Sequence, residues 1–191
     1  MQKTLFCLLM AWGLSHSLSA QAPDKAPIFE RKGLTVGLSI GAGILTLSAN
    51  DTVRTMPAAT FPNLRLGCMI SRKLALQLLI PGSTYRHEGR QRGFEGFLLT
   101  AQYWPRDRWW ILGGAGVAFD APAFWTVKDF RTADFYSGLP AVAFATGYEI
   151  LRKKHLTLDI QYRLYAGQVS TDSKGKKQGV TNMLSLGINW Y

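Results

Sequence analysis

Cysteine, histidine and long apolar runs are scarce in this chain of 191 residues, and each scarcity excludes something. The two cysteines are Cys7 and Cys68, and Cys7 lies in an N-terminal leader, so no intrachain disulfide is expected. The histidines are His16, also in the leader, and the widely separated His87 and His155, which make no metal site; no cofactor is expected. After the leader, no stretch approaches the roughly 20 apolar residues of a transmembrane helix. The leader itself occupies residues 1–20. Met1-Gln2-Lys3 is a basic start, Thr4 to Leu14 a mostly apolar core, and Leu18-Ser19-Ala20 a small-residue cleavage site. Cys7 lacks the small residues before it that a lipoprotein signal needs. A small exported domain without disulfides needs another source of stability, and closure within a lipid bilayer supplies one.

What the chain has in abundance is alternation. Leu156, Leu158, Ile160, Tyr162 and Leu164 interleave with Thr157, Asp159, Gln161, Arg163 and Tyr165, giving one apolar and one polar face at the two-residue period of a strand. The final segment repeats this with Val180, Leu184, Leu186, Ile188 and Trp190 on the apolar side. Eight such strands are predicted, at 34–45, 63–71, 74–81, 94–104, 109–119, 139–150, 156–165 and 179–190, with Phe97, Leu99, Ala101 and Tyr103 outward in the fourth. The links between them alternate short (71–73, 105–108, 151–155) and long (46–62, 82–93, 120–138, 166–178). The expected fold is all-β, an eight-stranded antiparallel up-and-down transmembrane β-barrel over 33–191. Residues 21–32 are left as a short periplasmic tail of unknown purpose.

The rival architecture is a soluble lipocalin-like barrel with its apolar face inward. Charge placement argues against it. The predicted strands carry only five charged residues, Arg65, Glu95, Glu149, Asp159 and Arg163, and no lysine, whereas a water-facing wall would carry many. Their polar face is mostly Gly, Ser, Thr, Asn and Gln, small enough to fill a narrow interior. Trp104, Trp109, Trp110, Tyr148, Trp190 and Tyr191 fall near one rim and are expected to form an aromatic girdle at the membrane interface.

The leader, the alternating strands, the alternating loop lengths and the aromatic last strand together resemble the small OmpA/OmpX-type outer-membrane β-barrels. The resemblance rests on pattern rather than on a motif. It implies that the last strand is read by the barrel-assembly machinery; Leu184, Leu186, Ile188 and Trp190 have the required phase, and Tyr191 lies one residue beyond.

Arg65, Glu149, Asp159 and Arg163 are expected to form a polar cluster in the lumen, neutralising one another, because an unpaired buried charge is costly. The cluster reads as a plug, with an ion path as the alternative. Phe124, Trp125, Phe130 and Phe135 mark a possible contact surface on the third long loop. Arg86, Arg90 and Arg92, with Lys174, Lys176 and Lys177, place cations on the long loops, where they suit the phosphates of lipopolysaccharide. Arg72-Lys73, Arg106/Arg108 and Arg152-Lys153-Lys154 place others on the short turns, facing anionic phospholipid. The net charge of +10 on an exported protein thus points to outer-membrane lipid and not to nucleic acid. The reading is a non-enzymatic structural or surface-interaction barrel. The alternatives are a lipid A-modifying enzyme, for which Ser83, His87 and Glu88 supply residue types, a narrow hydrophobic-ligand channel, and the soluble lipocalin-like carrier.

Overall fold

A computed structural model describes residues 29–49, 52–87, 89–123, 135–171 and 175–191. The leader and most of the 21–32 tail lie outside the described residues. Nine strands follow in chain order: β1 Leu34–Ala49, β2 Thr52–Ser71, β3 Leu74–Ile80, β4 Gly82–His87, β5 Arg90–Tyr103, β6 Trp109–Pro122, β7 Tyr136–Lys153, β8 Leu156–Ser170 and β9 Lys176–Trp190. All pairings are antiparallel: β3 and β4 both lie between β2 and β5, the other strands pair with their chain neighbours, and β1 also pairs with β9, so the sheet closes on itself. Closure satisfies the sheet edges that lipid cannot hydrate.

The nine strands make eight staves. β3 and β4 are one stave interrupted at Pro81, which has no N–H to give and keeps only the bond its carbonyl accepts from Gly96 N–H, 3.1 Å. On the β5 side the register runs on unbroken, Leu79 opposite Leu98 and Gly82 opposite Glu95. On the β2 side it slips by one residue, and the Asn63 Oδ1 accepts the Gly82 N–H at 2.6 Å.

The wall is apolar outside. Leu34 and Leu99 are 78% and 77% exposed, and Leu38, Ile44, Phe144, Ile160 and Leu186 join them in a belt around the barrel. Arg65, Glu149, Asp159 and Arg163 point inward and are buried. A soluble barrel would invert this distribution; a bilayer requires it. Phe97, Leu99, Ala101 and Tyr103 face outward as expected.

Three expectations are corrected. Three of the four long links, 46–62, 82–93 and 166–178, are mostly strand among the described residues: pairing continues to Ala49–Thr52, His87–Arg90 and Ser170–Lys176, so the barrel rises well beyond its apolar belt on this side. Above the belt the outward positions mix polar Thr46, Ser48 and Thr55 with Val53, while Leu47 and Val169 turn inward, so the apolar-out alternation fades while the ladder persists. Second, Trp104, Trp110 and Tyr191 are buried inside the barrel, leaving Trp109, Tyr148 and Trp190 on the outer wall. Adjacent residues on a strand face opposite ways, so Trp109 outward forces Trp110 inward. Third, the interior is not uniformly polar, as the next section describes. Gly147 makes room for the inward indole: a Cβ there would stand 2.4 Å from the Trp110 ring.

Candidate functional site: a sealed lumen with two clasped mouths

At the short-turn end, the chain before β1 crosses beneath the barrel as a strap, Phe29 to Lys32. Arg31 reaches in from the strap and grips Glu149 on β7, with Nη2 to Oε2 at 2.8 Å and Nε to Oε1 at 3.3 Å. The same carboxylate accepts Trp104 Nε1–H at 2.8 Å and Arg152 Nε–H at 2.6 Å. Arg31 lies over the Trp104 ring at 4.6 Å, and Tyr191 packs edge-on against Trp104 and Phe29. Charge, hydrogen bonds and cation–π contact all hold the strap in place. Burial, reinforced by the negative Glu149, pushes the Tyr191 hydroxyl above its ordinary value, so it stays neutral.

One layer deeper, Asp159 is held by Trp110 Nε1–H at 3.1 Å, Asn189 Nδ2–H at 2.9 Å and Gln161 Nε2–H at 3.2 Å, with Arg65 at 3.7 Å. Arg65 also donates to Asn189 Oδ1 and lies 4.9 Å over the Trp110 ring. Arg163 has no carboxylate in salt-bridge range among the described residues; its Nη2 donates to Gln161 Oε1 at 2.9 Å. The four expected lumen residues are therefore together in the interior, but they do not neutralise one another as a closed set. Glu149 and Asp159 are direct cross-strand partners with separate clienteles, and Glu149 is satisfied by Arg31 and Arg152.

Above this lies an apolar layer that sequence analysis did not anticipate. Leu45, Leu79, Leu98, Phe94 and Tyr165 are all fully buried, and the Phe94 and Tyr165 rings meet at 5.3 Å. Side chains packed in this way occupy the lumen between the two polar ends. All five lie within the predicted strands, Tyr165 and Phe94 at their ends, but the lumen face was read from its many small polar residues and not from these larger ones.

The hairpin end closes with a second clasp. Asp120 on β6 accepts Arg92 Nε–H at 2.8 Å, Tyr85 O–H at 2.9 Å and the ammonium of Lys177. Burial, then the Asp120 charge, raise the Tyr85 hydroxyl well above its ordinary value. Arg92 and Lys177, expected as free loop cations, are thus turned inward. Arg86, Arg90 and Lys176 are exposed, as is Arg54 on β2; Lys174 lies outside the described residues. Of the loop aromatics, Phe124, Trp125 and Phe130 also lie outside them. Phe135 folds onto the outer wall against Phe119, 5.4 Å, which in turn meets Phe97 at 5.3 Å.

Ser83 is only 2% exposed and faces the lumen. Nothing is described of the His87 side chain, and Glu88 lies outside the described residues. His155 stacks on Trp190 at 5.7 Å at the short-turn rim. Among the described residues no group of three His, Cys, Asp or Glu side chains is placed to hold a metal.

No protein-family model and no curated protein sequence matches the chain. Solved structures do. Neisserial surface protein A (NspA) superposes with a TM-score of 0.55 at 16% identity, covering 83% of this chain and 96% of that one. Ail, the attachment invasion locus protein of Yersinia pestis, gives 0.50 at 11% identity, covering 83% and 99%. At such identities the likeness is one of fold, and in fold this chain is a small eight-stave transmembrane β-barrel of the outer-membrane type.

Proposed function

We propose that the protein is a non-enzymatic integral outer-membrane barrel, exported by its leader, that presents an interaction surface outside the cell on the rigid hairpin ends of its strands. The observation that carries this reading is the sealed interior beneath hairpins whose pairing extends past the apolar belt. A barrel closed by a packed apolar layer does not conduct, so its chemistry is left to its outer rim. That rim displays Arg54, Arg86, Arg90 and Lys176, which suits an anionic partner such as the phosphates of lipopolysaccharide. The short turns, the strap before β1 and the end of β9 then face the periplasm. Trp190, not the inward Tyr191, is the terminal outward aromatic offered to the assembly machinery.

The lipid A-enzyme reading loses support because Ser83 faces the lumen, out of reach of a lipid on the outer wall. Titrating purified barrel with lipopolysaccharide and with its dephosphorylated form tests the proposal. The triple variant Arg54→Gln, Arg86→Gln, Arg90→Gln is expected to bind about tenfold or more weakly, each cation near an anionic surface contributing about 1 kcal/mol. Equal affinity of the two proteins, or of the two lipopolysaccharide forms, would remove the proposed partner. A change in lipid A mass on expressing the protein would restore the enzyme.

A further inference from the structure

The short-turn mouth contains a cleft of about 490 Å³ between the strap and two neighbouring turns, lined by Phe29, Glu30, Arg31, Arg72, Lys73, Trp104, Arg106 and Asp107. Its charge is unequal: four cations line it against two carboxylates. Both carboxylates are occupied. Glu30 pairs with Arg72 and Lys32, each at 3.4 Å, and Asp107 pairs with Arg152 at 2.6 Å. Arg31 is taken by Glu149. Lys73 and Arg106 are left, one on each turn, without an ion pair among the described residues.

The cleft is also braced and well placed. Trp104 N–H donates to the Lys73 carbonyl at 3.0 Å, tying the two turns together, while Arg31 and Glu149 pin the strap that forms the remaining wall. Tyr103 and Trp109 flank the turn carrying Arg106 and face outward, 43% and 42% exposed. Such half-exposed rings sit at the headgroup level of a membrane. The cleft therefore opens beside lipid headgroups, with two exposed cations that have no ion pair among the described residues.

We infer that this cleft binds an anionic phosphate ester, held between Lys73 and Arg106. Two sources share that chemistry, the headgroup of an anionic inner-leaflet phospholipid and a soluble phosphate ester of the periplasm. The volume lies within the range of small-molecule sites, and a guanidinium and an ammonium are the usual phosphate partners.

The test uses the full mature chain in detergent, with bound lipid counted by non-denaturing mass spectrometry and no dependence on the outer rim. Wild type is expected to retain one phosphatidylglycerol in preference to phosphatidylcholine. Lys73→Gln with Arg106→Gln should lower that retention about tenfold. Lys153→Gln with Lys154→Gln, on the short turn outside the cleft, should leave it unchanged. Each variant is first checked for the heat-dependent gel mobility of a closed barrel, and the single variants Lys73→Gln and Arg106→Gln serve if the pair does not fold. Displacement of phosphatidylglycerol by millimolar glycerol 3-phosphate would support the site with a soluble ligand; resistance to it would support the site with a lipid. Equal losses in the two double variants would mean diffuse surface charge and would overturn the site, as would retention that ignores the headgroup.

Discussion

The two mouths of the barrel use the same chemistry on different scaffolds. At each, a fully buried carboxylate is gripped by two cations and one aromatic donor: Glu149 by Arg31, Arg152 and Trp104, and Asp120 by Arg92, Lys177 and Tyr85. At the hairpin end all four residues belong to strands, β4, β5, β6 and β9, so the clasp is part of the wall. At the short-turn end one cation comes from the strap, which has no strand of its own. The outer clasp is therefore carried by residues of the wall itself. The inner one can lose Arg31 while Arg152 and Trp104 still satisfy Glu149.

Breaking the outer clasp should therefore do the most damage. Asp120→Ala leaves Arg92 and Lys177 facing each other around a missing counter-charge, and a cost of about 3–5 kcal/mol is expected in the urea midpoint followed by gel mobility. Glu149→Ala removes the counter-charge shared by Arg31 and Arg152, but Arg31 keeps the Asp107 carbonyl and Arg152 the Asp107 carboxylate, each at 2.6 Å, so a smaller loss of about 2–3 kcal/mol is expected in the same assay. Arg31→Gln should cost less again, about 1–2 kcal/mol, and leave the heat-dependent mobility shift intact. If Arg31→Gln proved as damaging as Asp120→Ala, the strap would be structural rather than an accessory clasp.

Alkaline titration sharpens the comparison further. The Tyr85 hydroxyl is raised in the fold, so its neutral form stabilises the outer clasp in full below about pH 10, where the unfolded phenol ionises. That stability is lost as pH rises above this value, since the unfolded chain then releases its proton first. Tyr85→Phe should flatten the decline in melting temperature above pH 10, and Tyr191→Phe should do the same at the inner end. The smallest effect is expected between the mouths. Arg163 has two guanidinium nitrogens, Nε and Nη1, without a hydrogen-bond partner in the fold, so Arg163→Met should leave the urea midpoint unchanged or raise it slightly.

How much of this was legible depends on where the lipid is. Inside the belt, outward positions must be apolar and inward ones need not be, so Leu156–Leu164 and Leu184–Trp190 display their faces directly. Above the belt the outward face is no longer uniformly apolar, and Arg92, Asp120 and Lys177 looked like loop residues although all three lie on paired strands. The tryptophans were misplaced for a different reason. Their position near a rim was correct, but clustering along the chain ignored the alternation that sends Trp104 inward beside an outward Tyr103, and Tyr191 inward beside Trp190. The sequence contained that signal.

Period-two patterning is local, so the chain alone determined which residues face lipid, that the ends of the barrel are unequal, and that Arg65, Glu149, Asp159 and Arg163 share the interior. The identity of each charge's partner is not local. Arg31 meets Glu149 across 118 residues, and Arg65 meets Asn189 across 124. Those pairings depend on the stagger with which the sheet closes and on which side chains then overlap across the lumen. Neighbours as similar as Glu149 and Asp159, opposite each other on β7 and β8, could be assigned separate partners only by the closed barrel.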